Sequence, residues 1–304
     1  MRRGFLRDAI ETRSYYERVM DMIRTVNEMQ AALSAMRRSG RRVALVPTMG
    51  ALHEGHAALM RRAREQGAAA VVSIYVNPTQ FGPHEDFKQY PRDLGADEQL
   101  CNREKVEVVF APSDDEMYPG DGGSAHAAAT WVEETTLSRR FEGERRPGHF
   151  RGVCTVVAKL FHIVQPDLAI FGQKDYQQLK VVQRMVRDLR FPIEIFFAPT
   201  VREPDGLALS SRNARLSTAE RAQAAVLSKA LRVAYDLFTE GEQSAHRLEA
   251  AMQRTVSLAP VARLDYAQIA DGETLEPVAN VQHGSVALIA AHVGKVRLID
   301  NAIL

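Results

Sequence analysis

Two histidines three residues apart, His53 and His56, flank a glycine in the run Pro47-Thr48-Met49-Gly50-Ala51-Leu52-His53-Glu54-Gly55-His56, directly after the apolar stretch Val43 to Val46. A strand that feeds a helix start presents unpartnered amides and the positive end of the helix dipole, and phosphates settle there. Two imidazoles at that end add hydrogen-bond donors. A protonated one would also neutralise charge growing on a leaving pyrophosphate. Gly55 leaves room for close backbone approach. Alone, the run reads equally as a strand, a turn and a surface helix with two solvated histidines.

Three further constellations give that turn partners. In Val76-Asn77-Pro78-Thr79-Gln80-Phe81, amide side chains can donate and accept at once, which suits a ligand bearing both hydroxyl and carboxylate groups. In Phe171-Gly172-Gln173-Lys174-Asp175-Tyr176-Gln177-Gln178, Lys174 can hold a phosphate as a point charge and Asp175 can accept from ribose hydroxyls. Gln178, four residues on, shares a helical face with Lys174. In Asp205 to Asn213, Ser210, Ser211 and Arg212 form a cradle for a terminal phosphate, because the arginine fork matches phosphate oxygens. The bland alternatives are a polar turn, a surface ion pair and an ordinary loop. A basic group, Arg139-Arg140 and then Arg145, Arg146 and Arg151 around Pro147-Gly148-His149-Phe150, either closes over an anionic substrate or forms a solvated face.

The elements that must position these residues alternate. Apolar, β-branched runs at Val43–Val46, Val71–Val76, Val106–Phe110, Leu168–Phe171 and Ile193–Phe197 read as buried strands. Val153, Val156, Val157, Leu160, Phe161 and Val164 fall on one helical stripe, which Pro166 stops. Strands alternating with helices predict parallel βαβ units, with ligands beyond the carboxyl ends of the strands. The fold class is therefore α/β, a Rossmann-like doubly wound parallel sheet over residues 22–200. A smaller α/β carboxy-terminal domain follows over 201–304, with helices near Thr218–Phe238 and Ser244–Ser257 and strands near Leu264–Ile269 and Val286–Ala291. Met1 to Asp21 is expected to be a frayed or disordered appendage, and Met117 to Ala129, rich in Gly, Ala and Ser, a flexible connection.

Composition narrows the ligand class. The 304 residues are 45% apolar and 25% charged, and 39 basic against 38 acidic residues leave a net charge of +1. Such a chain has no global field for nucleic acid, so small ligands are expected. Cys101 and Cys154 lack metal-ligand spacing and read as buried small hydrophobes in a reducing compartment. No run of about 18 apolar residues predicts a membrane span, and Met1 to Tyr16 lacks the apolar core of a secretory signal. The expected location is cytoplasmic.

Taken together, PTMGALHEGH, Val76 to Phe81, RPGHFRGV at Arg146–Val153, FGQKDYQQL at Phe171–Leu179 and DGLALSSRN at Asp205–Asn213 resemble the pantoate/β-alanine ligases, AMP-forming members of the HxGH nucleotidyltransferase superfamily. The similarity runs from about Met22 to Leu304, including Arg297 to Asn301. It implies a Rossmann-like domain closed by a carboxy-terminal lid, a homodimer, and condensation of (R)-pantoate with β-alanine through a pantoyl adenylate, releasing pyrophosphate and AMP. By the same resemblance, Met49, Gly50, Ala51, Leu52, His53, Glu54, Gly55 and His56 contact ATP, with His53 and His56 on its phosphates and His56 as proton donor. Gly172, Gln173, Lys174 and Asp175 form its ribose and phosphate loop. Val201 lies near adenine, and Leu209, Ser210, Ser211 and Arg212 cover the triphosphate. His53, His56, Lys174 and Arg212 would carry catalysis, Gln80 and Gln178 would hold pantoate, and Gln80 would also lie near β-alanine. Mg2+ is implied by the triphosphate, with no dedicated carboxylate site in the sequence. The appendage and the Gly120–Ala129 stretch exceed what the family needs.

Three rival readings remain open on the residues alone. A nucleotidyltransferase of the same superfamily would release a nucleotidylated product, and a non-catalytic nucleotide sensor would release no pyrophosphate. A zinc site at His53 and His56 lacks the four-residue spacing of a helical zinc pair.

Overall fold

Strand runs with no polar alternation pair into one parallel sheet because helices cover both of its faces. The structure, a computed structural model, describes residues 20–83, 85–120 and 128–304. Its larger sheet comprises β1 (Asp21–Ile23), β2 (Val43–Thr48), β3 (Ala69–Ile74), β4 (Val108–Phe110), β5 (Leu168–Gly172) and β6 (Glu194–Ala198). The spatial order is β1-β4-β3-β2-β5-β6, and every pairing is parallel. From β2 the chain steps outward through β3 and β4, then returns to lay β5 and β6 on the other side. The direction of winding therefore reverses between β2 and β5, where a crevice opens at the carboxyl ends of the strands.

Helices α1 (Val26–Arg38), α2 (Glu54–Glu65), α3 (Leu94–Arg103), α4 (Asp114–Met117), α5 (Glu142–Arg145), α6 (His149–Val164) and α7 (Tyr176–Asp188) surround this sheet. Alternate strand residues feed two cores. Val43, Leu45 and Phe171 pack with α1, α6 and α7 on one face. Ala44, Val46 and Ile170 pack with Ala57, Met60 and Cys101 of α2 and α3 on the other. Cys101 and Cys154 are both buried and free.

Beyond β6 come α8 (Thr218–Ala224), α9 (Val226–Thr239), α10 (Ala245–Ser257) and the antiparallel strands β7 (Ala262–Ala270), β8 (Val286–Val293) and β9 (Val296–Ile303), in the order β7-β8-β9. One face of this small sheet packs Ile269, Ala287 and Ile289 against α9 and α10. The other sends Tyr266, Leu288 and Ala290 into the larger core. Among the described residues, no helix is long and apolar enough to cross a membrane.

Several boundaries differ from the sequence reading. β3 starts two residues early, because Ala69 and Ala70 pair in register with Val43 and Ala44. β4 starts at Val108 rather than Val106, whose amide closes the end of α3 on the Cys101 carbonyl at 3.0 Å. The helix expected over 218–238 is two, broken at Ala225. Residues 1–19 of the expected appendage and 121–127 of the expected flexible connection lie outside the described residues. Met20, however, is buried and Asp21 pairs with Val108. Those two residues belong to the folded chain because β4 offers them an unpaired edge.

Candidate active site

The crevice between β2 and β5 holds the two histidines at the start of α2, and they shape that start themselves. His53 is the N-cap, its Nδ1 accepting from the Gly55 amide at 3.1 Å, and the Nδ1 of His56 accepts from the His53 amide at 3.2 Å. An accepting Nδ1 leaves the proton of each neutral ring on Nε2. The cap thus fixes two N–H donors that point away from the helix. Burial, aided by the neighbouring Lys174 ammonium, lowers His53 to about 4. Burial, His53 and Lys174 lower His56 to about 3. In the ligand-free chain near neutral pH both rings are therefore neutral donors, because burial and the adjacent ammonium disfavour a further positive charge.

His149, buried at the start of α6, is lowered to about 3, by burial first and then by Arg146. These shifts give acid sensitivity a sign. The unfolded histidines titrate near 6.5, so below that pH the unfolded chain binds protons that His56 and His149 refuse, and stability is lost as pH falls toward 4. Urea unfolding at pH 8 and pH 5 should show the loss, with each of the two contributing at most about 1.4 kcal/mol per pH unit. A His149→Gln chain should lose less between the two pH values, and an undiminished loss would refute the assignment.

Gly55 also has a task within the cap. A Cβ there would lie 2.9 Å from Cε1 of His53, so the space it leaves accommodates that ring beside the cavity that Gly55 also lines. Gly50 sits at φ +77°, and a Cβ there would meet Asp97 Oδ2 at 2.8 Å. Asp97 is buried and accepts from the Ala51 and Leu52 amides at 3.1 and 2.6 Å. It thereby ties the loop before His53 to α3, and nothing in the sequence around it signals this.

A cavity of about 220 Å³ occupies the crevice. Met49, His53, Gly55 and His56 line it from β2 and α2, and Gly172, Lys174, Asp175 and Gln178 from the end of β5 and the start of α7. Gln80 lies beside Met49, its Nε2 3.0 Å from the Met49 sulfur. Val201, Leu209, Ser210, Ser211 and Arg212 close the side toward the small sheet.

Five expected ATP contacts are not in the lining. Gly50, Ala51 and Leu52 are turned toward Asp97. Glu54 pairs with Arg61 on the outer side of α2. Gln173 offers its carbonyl to Asn301 Nδ2 at 2.9 Å, and the same nitrogen holds the Lys174 carbonyl at 2.9 Å. Strand β9 therefore fixes the backbone that carries Lys174, whose Nζ lies 3.6 Å from Asp175.

The expected arginine fork is present but engaged. Arg212 Nε and Nη2 each donate to Asp86 at 3.0 Å, and its guanidinium lies 5.7 Å from the centre of the Tyr90 ring. Of the basic group, Arg140 pairs with Glu276 at 2.7 Å, Arg145 with Asp265 at 3.1 Å, and Arg151 lies 4.7 Å from the Trp131 ring. Arg146 alone of these lines the cavity.

Residues 21–303 match the family model for pantoate-beta-alanine ligase. The chain belongs to the pantoate-beta-alanine ligase family. A pantothenate synthetase from Thermotoga petrophila is 50% identical over 285 residues, covering 94% of this chain and 100% of that one. The crystal structure of pantothenate synthetase from Thermus thermophilus superposes with a TM-score of 0.87 at 46% identity, covering 93% of this chain and 99% of that one. A pantoate-beta-alanine ligase from Francisella tularensis, solved with beta-gamma ATP and beta-alanine, gives a TM-score of 0.76 at 31% identity, covering 94% and 98%.

In this member of the ligase family, sequence reasoning missed Asp86, Tyr90 and Asp97. Asp86 and Tyr90 lie in a loop with no apolar periodicity, and their partners are more than a hundred residues away. His149, which the sequence offers within a basic run and the RPGHFRGV motif but with no role of its own, lines the cavity too.

Proposed function

We propose that this chain condenses pantoate with β-alanine at the expense of ATP, through a pantoyl adenylate. The observation that carries the reading is the pair of outward Nε2 donors on His53 and His56, set in one cavity with Lys174 at the point where the sheet reverses its winding. A carboxylate is a poor electrophile, since its anionic oxygen will not leave, and adenylation supplies a leaving group. The protein's part is to align the reactants and stabilise charge on the phosphates.

In this reading His53 and His56 donate to the departing phosphates, while Lys174 and Arg212 offset their charge. Gln80 and Gln178 orient the pantoate carboxylate, Gln80 also adjoins the amine, Asp175 accepts from the ribose, and Val201 meets the adenine. Mg2+ enters as MgATP, carried by the triphosphate oxygens. The adenylate would hydrolyse in water, so closure of the carboxy-terminal domain has a purpose. We further propose a homodimer working in the cytoplasm.

Purified protein with ATP, magnesium, pantoate and β-alanine should yield AMP, pyrophosphate and pantothenate. ADP would refute the adenylate route, and a nucleotidylated end product that is released and not consumed when β-alanine is present would make the chain a nucleotidyltransferase. Arg212→Lys keeps a charge but loses the planar fork, so the KM for ATP should rise about 10-fold. An unchanged KM at saturating pantoate would remove Arg212 from the nucleotide site.

A further inference from the structure

The segment Arg146-Pro147-Gly148-His149 has no part in the reaction just described, yet its two polar side chains converge on one atom. His149 Nδ1 lies 2.8 Å from the Gln80 carbonyl oxygen and Arg146 Nη2 lies 3.4 Å from it. Arg146 Nη1 stands 3.1 Å from His149 Nε2. A guanidinium can only donate, so Nε2 accepts and Nδ1 keeps the proton that it gives to Gln80. The lowered imidazole keeps that arrangement neutral and therefore fixed.

The same backbone is seated from below. A Cβ on Gly152 would lie 2.5 Å from the Thr79 carbonyl oxygen and 2.7 Å from the Gln80 amide nitrogen, so α6 packs directly on the short turn Pro78–Gln80. Asn77 Nδ2 bridges that turn, 3.2 Å from the Gly152 carbonyl and 3.2 Å from the Gln80 side-chain oxygen. The support also extends away from the cavity. Arg146 Nη1 lies 4.0 Å from Glu142, which accepts from Arg297 of β9 at 2.7 and 2.8 Å and from the Tyr266 hydroxyl of β7 at 2.9 Å. Glu142 is buried, and its carboxyl is held below its ordinary value chiefly by Arg297, against the opposing effect of burial.

We infer that Arg146 and His149 are positioning residues that fix the backbone of Gln80, and with it the aim of its amide, and that Glu142 and Arg297 tie this support to the small antiparallel sheet. The chain of contacts runs from the carboxy-terminal domain to the residue assigned to both pantoate and the amine, and its hydrogen bonds end on the Gln80 backbone. The inference rests on that assignment of Gln80. It predicts a defect confined to the two organic substrates.

Steady-state kinetics of the full chain separate the possibilities. His149→Leu removes the donor to Gln80, and the KM for pantoate should rise about 10-fold, the effect of one lost buried hydrogen bond. The KM for ATP should stay within about 2-fold of the parent value. His149→Asn places an amide nitrogen where Nδ1 stood, and should bring the pantoate KM back to within about 3-fold of the parent. A merely structural role would move both KM values together and would not distinguish Asn from Leu; either result overturns the inference. If His149→Leu does not fold, Arg146→Gln takes its place and should show the same split. Arg297→Lys should raise the pantoate KM about 3-fold, and an unchanged value overturns the tie to the small sheet. Gln80→Ala tests the foundation separately: an unchanged pantoate KM there would overturn the assignment of Gln80 itself.

Discussion

Replacing His56 by alanine should slow formation of the adenylate by about 10² to 10³, the range typical for loss of one preoriented donor to developing charge. Pantoate-dependent exchange of pyrophosphate into ATP measures this step without the amine. The size follows from the geometry. The Nδ1 of His56 is occupied by the His53 amide, so Nε2–H is fixed in direction before any ligand arrives and needs no reorganisation. The ring also belongs to the helix cap, and losing a cap costs about 1 kcal/mol of stability. That cost shows as a small fall in the unfolding midpoint and leaves most of the chain folded at ordinary temperature. It cannot account for a hundredfold loss of rate. An exchange rate within a few-fold of the parent would remove His56 from the reaction.

Lys174→Gln should cost a further large factor, about 10² in the same exchange, because the only ammonium lining the cavity among the described residues is lost while the polar bulk remains. The backbone at this position is held by Asn301 through the Gln173 and Lys174 carbonyls, so the substitution alters charge without releasing the loop. A second consequence can be read independently. The Lys174 charge helps hold His53 and His56 low, so its removal should raise both, and protonation of the rings should begin at higher pH. NMR titration of the ring resonances would show this shift upward. Unmoved titrations would place the ammonium elsewhere than beside the two rings.

The large sheet was largely legible because buried parallel strands leave continuous apolar runs, and the runs at Val43 and Leu168 became strands with those starts; the run at Val286 did the same as the central strand of the antiparallel sheet, which is also buried. Edges were less legible. β1 is three residues long and is a strand only because β4 accepts it, a long-range fact with no local signal. Ala69 and Ala70 are weak strand formers whose state is set by register with β2. In the cavity, lining residues on strand-end loops could be named from type and position, as with His53, Lys174 and Gln80. Residues that hold those residues could not. Asp97 looks like any acidic residue in the first turn of a helix, and only the folded chain brings its carboxylate to the Ala51 and Leu52 amides. Gly50, Ala51, Leu52, Glu54 and Gln173 lie outside the cavity lining for a related reason: a turn presents only some of its residues to one side.

The reciprocal cap of α2 couples two properties that drift in sequence usually keeps apart. At most helix starts a serine can replace an aspartate with little effect on anything but local stability. At His53 and His56 the atoms that terminate the helix and the atoms that face the cavity lie on opposite edges of the same rings. A substitution that merely preserves the helix, such as Ser at position 53, surrenders a donor, and one that merely preserves a donor must find another way to start the helix. Few single exchanges satisfy both demands. Exchange of either ring therefore changes the helix start and the cavity wall together.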